Sequence, residues 1–230
     1  MSDVGFDDLF KYVDQQVVEL TIFYKLLKEL YGNEETVGRM NTVAPGGFHI
    51  IQRSLQRDII VRIYSVTDKP STGGSNKKNN ASIMQLFAIL AEEMEDRCQE
   101  LDARKKEVEG VVRRIRTYRN KKIAHHDLDM AQGKAKYDPP LVGDLERAMV
   151  VLWKSMNDIR RLRGDDTTCA YEHTSIGRSA GGIDLALRDS CRMENLYKLA
   201  RKGKINPNQA IELLTRRFDD DDEQILASMA

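Results

Sequence analysis

Residues 113–129 read RRIRTYRNKKIAHHDLD. Within them, Arg113, Arg114, Arg116, Arg119, Lys121 and Lys122 place six cations in ten positions, and the adjacent histidines His125 and His126 follow. A basic run on a helix is ordinarily a solvated face. The residues upstream argue otherwise for one of these cations. Leu101, Val108, Val112 and Ile115 recur at helical spacing, and Arg119 falls within about 20° of the line through the last three of them. An arginine on an apolar line is costly to bury unless it finds a partner or lines a cleft. His126 lies further along that same line, whereas His125 stands roughly 120° round the helix from Arg119. The spacing leaves open which histidine meets the arginine.

Outward from this segment the chain reads as helices. Phe6, Leu9, Val13, Val17, Leu20, Tyr24 and Leu27 predict a first helix from about Phe6 to Tyr31, with Gly32-Asn33 as its stop. The stretch Val43-Ala44-Pro45-Gly46-Gly47 reads as a break before a second helix from about Phe48 to Val66. In that helix Ile51, Leu55, Ile59 and Ile63 make one line, with Ile50, Ile60 and Tyr64 beside it. Residues 67–80 have a loop composition. Ser82 is an N-cap for a third helix carrying Ile83, Leu86, Phe87 and Leu90. The fourth helix, about Glu95 to Ala124, carries the basic segment, and a fifth runs from about Leu141 to Leu162.

These patterns predict an all-α protein, an antiparallel bundle of four to five helices over residues 1–163. The texture changes after Gly164. Residues 164–230 read as a C-terminal appendage: an irregular stretch from Thr167, a helix from Ile183 to Arg201 introduced by Gly181-Gly182, a short helix from Asn206, and the acidic run 219–223.

The totals narrow the function classes. Lys plus Arg and Asp plus Glu balance at 36 each, so net charge carries no argument for a polyanionic partner and only its local distribution does. No apolar run reaches the length of a membrane span. The acidic start, Met1 to Asp8, lacks the basic-then-apolar order of a signal peptide. Cys98, Cys169 and Cys191 are odd in number and far apart, which fits neither a disulfide framework nor a zinc site. The expectation is a reduced, cytoplasmic protein with no membrane partner, no metal and no cofactor. Gly73-Gly74-Ser75-Asn76-Lys77-Lys78 lacks the preceding strand and the glycine-lysine-serine spacing of a phosphate loop. His49 reads as a satisfied structural histidine, and His173 has no partner spacing that would make it a ligand.

The chemistry of the basic segment suits RNA. A base can take the 2′-hydroxyl proton and let that oxygen attack the adjacent phosphorus, with no metal in the step. Histidine titrates near neutrality and serves as base or acid. A guanidinium grips phosphate oxygens in a fork and stabilises charge on the pentacoordinate phosphorus. Asn120 is placed to orient the histidine or to bond the ribose. Arg113, Arg114, Arg116, Lys121 and Lys122 would hold the RNA backbone electrostatically.

The order Arg119-Asn120, a short spacer, then Ala124-His125 resembles the motif of the HEPN superfamily. The fuller string from Tyr118 through Asp127 to Asp129 resembles the AbiU-type abortive-infection branch. A second match lies upstream, where Ser65-Val66-Thr67-Asp68 and the following Gly/Lys/Asn loop are similar to that branch's "Leu-Thr-Asp" helix end. The resemblance covers roughly residues 6–163. It implies an α-helical bundle, often a homodimer with two Arg/His pairs facing across a cleft. It also implies metal-independent RNA cleavage in toxin–antitoxin or phage-defence systems. By position, Arg119 is the phosphate-binding arginine, Asn120 its polar neighbour and His125 the catalytic histidine, with His126 a second candidate. Tyr118, Asp68 and Asp127 are supporting residues; Asp68 either caps its own turn or approaches Arg119. Partners expected on this reading are RNA, a second copy, and an antitoxin or other defence-system protein. The alternative is a HEPN module that binds RNA or protein without cleaving. A weaker third reading pairs the protein with a nucleotidyltransferase.

Overall fold

The computed structural model describes residues 5–72, 78–124, 132, 134, 138–174, 179–206, 208–209 and 211–212. Among these the fold is all-α, consistent with a HEPN-like bundle. The helices are α1 (Phe6–Tyr31), α2 (Glu34–Val43), α3 (Pro45–Val66), α4 (Ile83–Glu93), α5 (Cys98–Tyr118), α6 (Val142–Leu162) and α7 (Ser179–Arg201). A two-residue antiparallel ladder, Ser71↔Asn79 and Thr72↔Lys78, closes the loop after α3. No helix among the described residues is long and apolar enough to cross a membrane.

Contacts group the chain into two compact units. The first joins the chain through Lys25 to Arg53–Ser175; the second joins Leu26–Gln52 to the chain from Ile176 onward. The irregular stretch after α6 belongs with the first unit, and the end of α1 and the whole of α2 belong with α7.

The first unit holds the basic segment. Its core takes Val13, Val17 and Leu20 from α1, Ile59 and Ile63 from α3, and Ile83, Leu86, Phe87 and Leu90 from α4. Leu101, Val108, Val112 and Ile115 of α5 and Ala148, Met149, Leu152, Met156 and Ile159 of α6 complete it, all of these fully buried. α5 packs on α6 and α4, and α4 on α6. Polar pins hold α1 in place: Trp153 Nε1 donates to Thr21 Oγ1 at 2.8 Å, and Arg62 Nη1 reaches Glu19 at 3.0 Å. Arg62 also stacks on the Phe23 ring at 4.6 Å. Ser82 caps α4 as its sequence predicts, its Oγ accepting from Gln85 N at 3.2 Å.

In the second unit, Leu30, Met40 and Leu187 form a core with Leu26, Tyr31, Phe48 and Ile183 against it. Asp184 of α7 accepts from Thr36 Oγ1 at 3.1 Å, Arg39 Nη1 at 2.7 Å and Arg188 Nε at 3.0 Å. Burial would raise the Asp184 carboxyl pKa, but these donors and cations outweigh it and hold the pKa below its ordinary value.

Gly32-Asn33 ends α1 as expected, and Asn33 also caps the unforeseen α2, its Oδ1 accepting from Glu35 N at 2.8 Å and Thr36 N at 3.4 Å. Two expectations differ. The break at 43–47 shrinks to Ala44, because Pro45 starts α3 with a missing N–H that the first turn does not need. His49, read as a satisfied structural histidine, is exposed on α3.

Candidate nucleic-acid interface

α5 ends at Tyr118, and the next six residues, Arg119–Ala124, are wound as π-helix. Carbonyls there bond five residues on instead of four, a winding that recurs at functional sites. It occupies the segment that separates the arginine from the histidine of the motif. His125, His126 and Asp127 lie outside the described residues.

Arg119 sits where its helical line requires. Val108, Val112 and Ile115 are fully buried, and Arg119 continues them half-buried. Its guanidinium carbon lies 4.0 Å from the centre of the Tyr64 ring. Its Nη1 donates to Asn120 Oδ1 at 3.0 Å, while its Nε is buried with no hydrogen-bond acceptor among the described residues. Arg116, one turn earlier, faces the same ring at 5.9 Å, and its Nη2 donates to the Thr67 carbonyl. Thr67 is fully buried and its own Oγ1 donates to Ile63 O at 2.7 Å. A cation at this carbonyl satisfies a backbone acceptor that the end of α3 leaves open, and it meets the negative end of the helix dipole. The Thr67-Asp68 helix end is thereby joined to the basic segment by a contact of its own.

Asp68 takes the first of its two anticipated roles. Its Oδ1 accepts from Lys69 N at 2.8 Å and its Oδ2 from Asn80 Nδ2 at 3.4 Å, so it closes the loop between α3 and α4. Arg114, although exposed, has partners of its own. Its Nη1 lies 3.0 Å from Asp144 Oδ2, and its Nη2 reaches the Pro139 carbonyl at 3.4 Å. Arg113, Asn120, Lys121 and Lys122 are exposed, and Tyr118 is half-buried. Of the five cations expected to hold an RNA backbone, Arg113, Arg114, Lys121 and Lys122 are exposed. Arg114 and Arg116 have structural partners.

Two residues of this region escape a reading by spacing. Tyr64 registers only as a neighbour of an apolar line, although an aromatic three residues before a Thr-Asp helix end is a usable signal. Asp144 is the other. It is 6% exposed, accepts from Leu141 N at 2.8 Å, and pairs with Arg114 and with Arg147 at 2.5 Å. The Leu141 backbone bond, outweighing burial and joined by the two arginines, holds its carboxyl pKa below the ordinary value. A depressed carboxylate adds stability above the unfolded value of 3.8 and loses it as pH falls through the lower folded value. Asp144→Ala is expected to cost about 1–2 kcal/mol at pH 7 through the lost cap and charge pairs. Urea titrations should show that cost shrinking below pH 4. A cost independent of pH would mean the carboxylate charge is not what matters.

The chain matches the family model HEPN_AbiU2, described as AbiU2, over residues 3–174. No curated protein and no solved structure matches it. The family match spans the Thr67-Asp68 helix end, the whole basic segment and the irregular stretch after α6, and the chain belongs to the AbiU2 family of abortive-infection-associated HEPN domains.

Proposed function

We propose that this protein is a metal-independent RNA endonuclease acting as a toxin or phage-defence effector. The observation that carries the reading is Arg119, a half-buried arginine on the core line of a basic helix, stacked on Tyr64 and bonded to Asn120. A guanidinium held in this way is pre-oriented to grip two phosphate oxygens and to stabilise charge that grows on phosphorus. In the proposed reaction His125, or His126 in its place, takes the proton of the ribose 2′-hydroxyl. The freed oxygen attacks the adjacent phosphorus, the bond to the next 5′-oxygen breaks, and that oxygen takes a proton as it leaves. The products are a 2′,3′-cyclic phosphate and a 5′-hydroxyl. Arg113, Lys121 and Lys122 supply salt-dependent attraction for the backbone. A second copy of the chain and an antitoxin or other defence-system protein are the partners that go with this role.

Purified protein in EDTA should cut RNA and leave 2′,3′-cyclic phosphate ends, read by end-group analysis of the fragments. Salt-sensitive binding with no cleavage, in EDTA or with added divalent metal, would replace this reading with a HEPN module that only holds RNA.

A further inference from the structure

The geometry points to Tyr64 as the positioning residue for Arg119, an assignment that rests on the phosphate-binding role proposed for that arginine. A guanidinium on a long side chain has many rotamers, and a catalytic contact needs one of them. Among the described residues two contacts restrict Arg119: the Asn120 amide on one edge, and the Tyr64 ring under the face, 4.0 Å from the guanidinium carbon. Asn120 is exposed and adjacent in sequence, so it moves with the arginine and fixes little by itself. Tyr64 is anchored from elsewhere. It sits in the last turn of α3, between the fully buried Ile63 and the 3% exposed Val66.

The helix end that carries Tyr64 is tied to α5 by Arg116, whose Nη2 donates to the Thr67 carbonyl. Arg116 also faces the same ring, so one aromatic side chain serves two cations one turn apart. Among the described residues the buried Nε atoms of both arginines lack acceptors, and the π-face of the ring lies 4.0 Å from the guanidinium carbon of Arg119 and 5.9 Å from that of Arg116. An arginine that turned away from this ring would lose that attraction. Tyr64 therefore sets the plane in which Arg119 offers its fork, and Arg116 keeps Tyr64 in place.

The test compares the full-length wild type with Tyr64→Phe, which keeps the ring, and Tyr64→Leu, which removes it. The side-chain Nε–H resonance of Arg119, assigned by its loss in Arg119→Lys, should be displaced by the ring current in wild type and in Tyr64→Phe. In Tyr64→Leu it should return to the position of an ordinary arginine. With RNA as substrate, Tyr64→Leu should lower kcat per folded molecule about tenfold with a smaller change in KM, and Tyr64→Phe should stay near wild type. A purely structural tyrosine would lower the melting midpoint and leave kcat per folded molecule unchanged. The assignment is overturned if the Arg119 resonance is the same in Tyr64→Leu as in wild type, or if it moves while kcat does not. Should the wild type cleave no RNA, the nuclease reading fails separately. Tyr64 is then judged by the same resonance and by RNA affinity at low salt, where Tyr64→Leu must bind more weakly than Tyr64→Phe.

Discussion

Replacing Arg119 with alanine is expected to slow RNA cleavage by about 10²–10³-fold, the usual cost of removing one donor from a charge-stabilising site. The expectation follows from what Arg119 does not do. Other arginines near it have structural employment, Arg114 at Asp144 and Arg116 at the Thr67 carbonyl. Arg119 holds only Asn120 and a ring face among the described residues, and neither is a charge. Its loss removes a cation–π contact of about 0.5–2 kcal/mol, so the melting midpoint should move little beside the rate. Arg119→Lys keeps the charge but not the planar fork and should recover only part of the rate. His125→Ala should cost about 10²–10⁴-fold if that residue is the base or acid. Combined replacement of His125 and His126 should bring cleavage to background. Single-turnover assays on purified variants, each shown to be folded, decide the matter. Full activity in Arg119→Ala, or in the paired histidine variant, would remove the nuclease reading.

What was legible in the sequence follows the reach of each signal. Periodicity within one helix reads well: α1 runs over the residues that Phe6, Leu9, Val13 and Val17 announce, and Arg119 is half-buried because it continues a buried line. A cap one turn from its target also reads well, as Ser82 shows. Punctuation is ambiguous. Asn33 ends one helix and caps the next, and Pro45 looks like a break but is the first residue of α3, since proline breaks helix interiors and not their first turns. The π-turn at Arg119–Ala124 changes the pitch without changing composition, so a fixed angle per residue cannot find it. Contacts between elements are the least legible. Nothing local says that Tyr64 lies under Arg119, or that Arg114 spends its charge on Asp144 thirty residues away. The candidate site could therefore be named in sequence by its arginine and the adjacent Asn120, while its support from another helix, Tyr64, could not.

The stretch after α6 extends that lesson to stability, and Tyr171→Ala is expected to cost about 3–5 kcal/mol, as truncating a buried aromatic does. Residues 165–174 show no helical period, yet Tyr171 is fully buried. Its hydroxyl donates to Asp14 Oδ1, the oxygen that also receives Arg160 Nη2 at 2.8 Å, and Arg160 stacks on Phe10 at 4.9 Å. Either side of it the backbone is held by side chains. Asn157 exchanges two bonds with Cys169, at 2.9 and 3.1 Å, and Lys25 Nζ donates to the carbonyls of Glu172 and Thr174, at 3.1 and 2.7 Å. An irregular segment pinned at so many backbone atoms loses them together when its one buried anchor is removed. Tyr171→Phe keeps the ring and loses only the bond to Asp14, about 1 kcal/mol. Burial, with the Asp14 carboxylate beside it, pushes the Tyr171 pKa well above its ordinary 10.0. The hydroxyl's contribution is thus complete below pH 10, where both folded and unfolded chains keep the proton. It is lost as pH rises further, because the unfolded chain ionises first. Chemical unfolding of wild type and Tyr171→Phe should show a stability gap that is constant at neutral pH and closes above pH 10. A gap that stayed constant through that range would mean the hydroxyl is not held as the neutral donor to Asp14. A loss in Tyr171→Ala no larger than that in Tyr171→Phe would mean the ring does not anchor the segment.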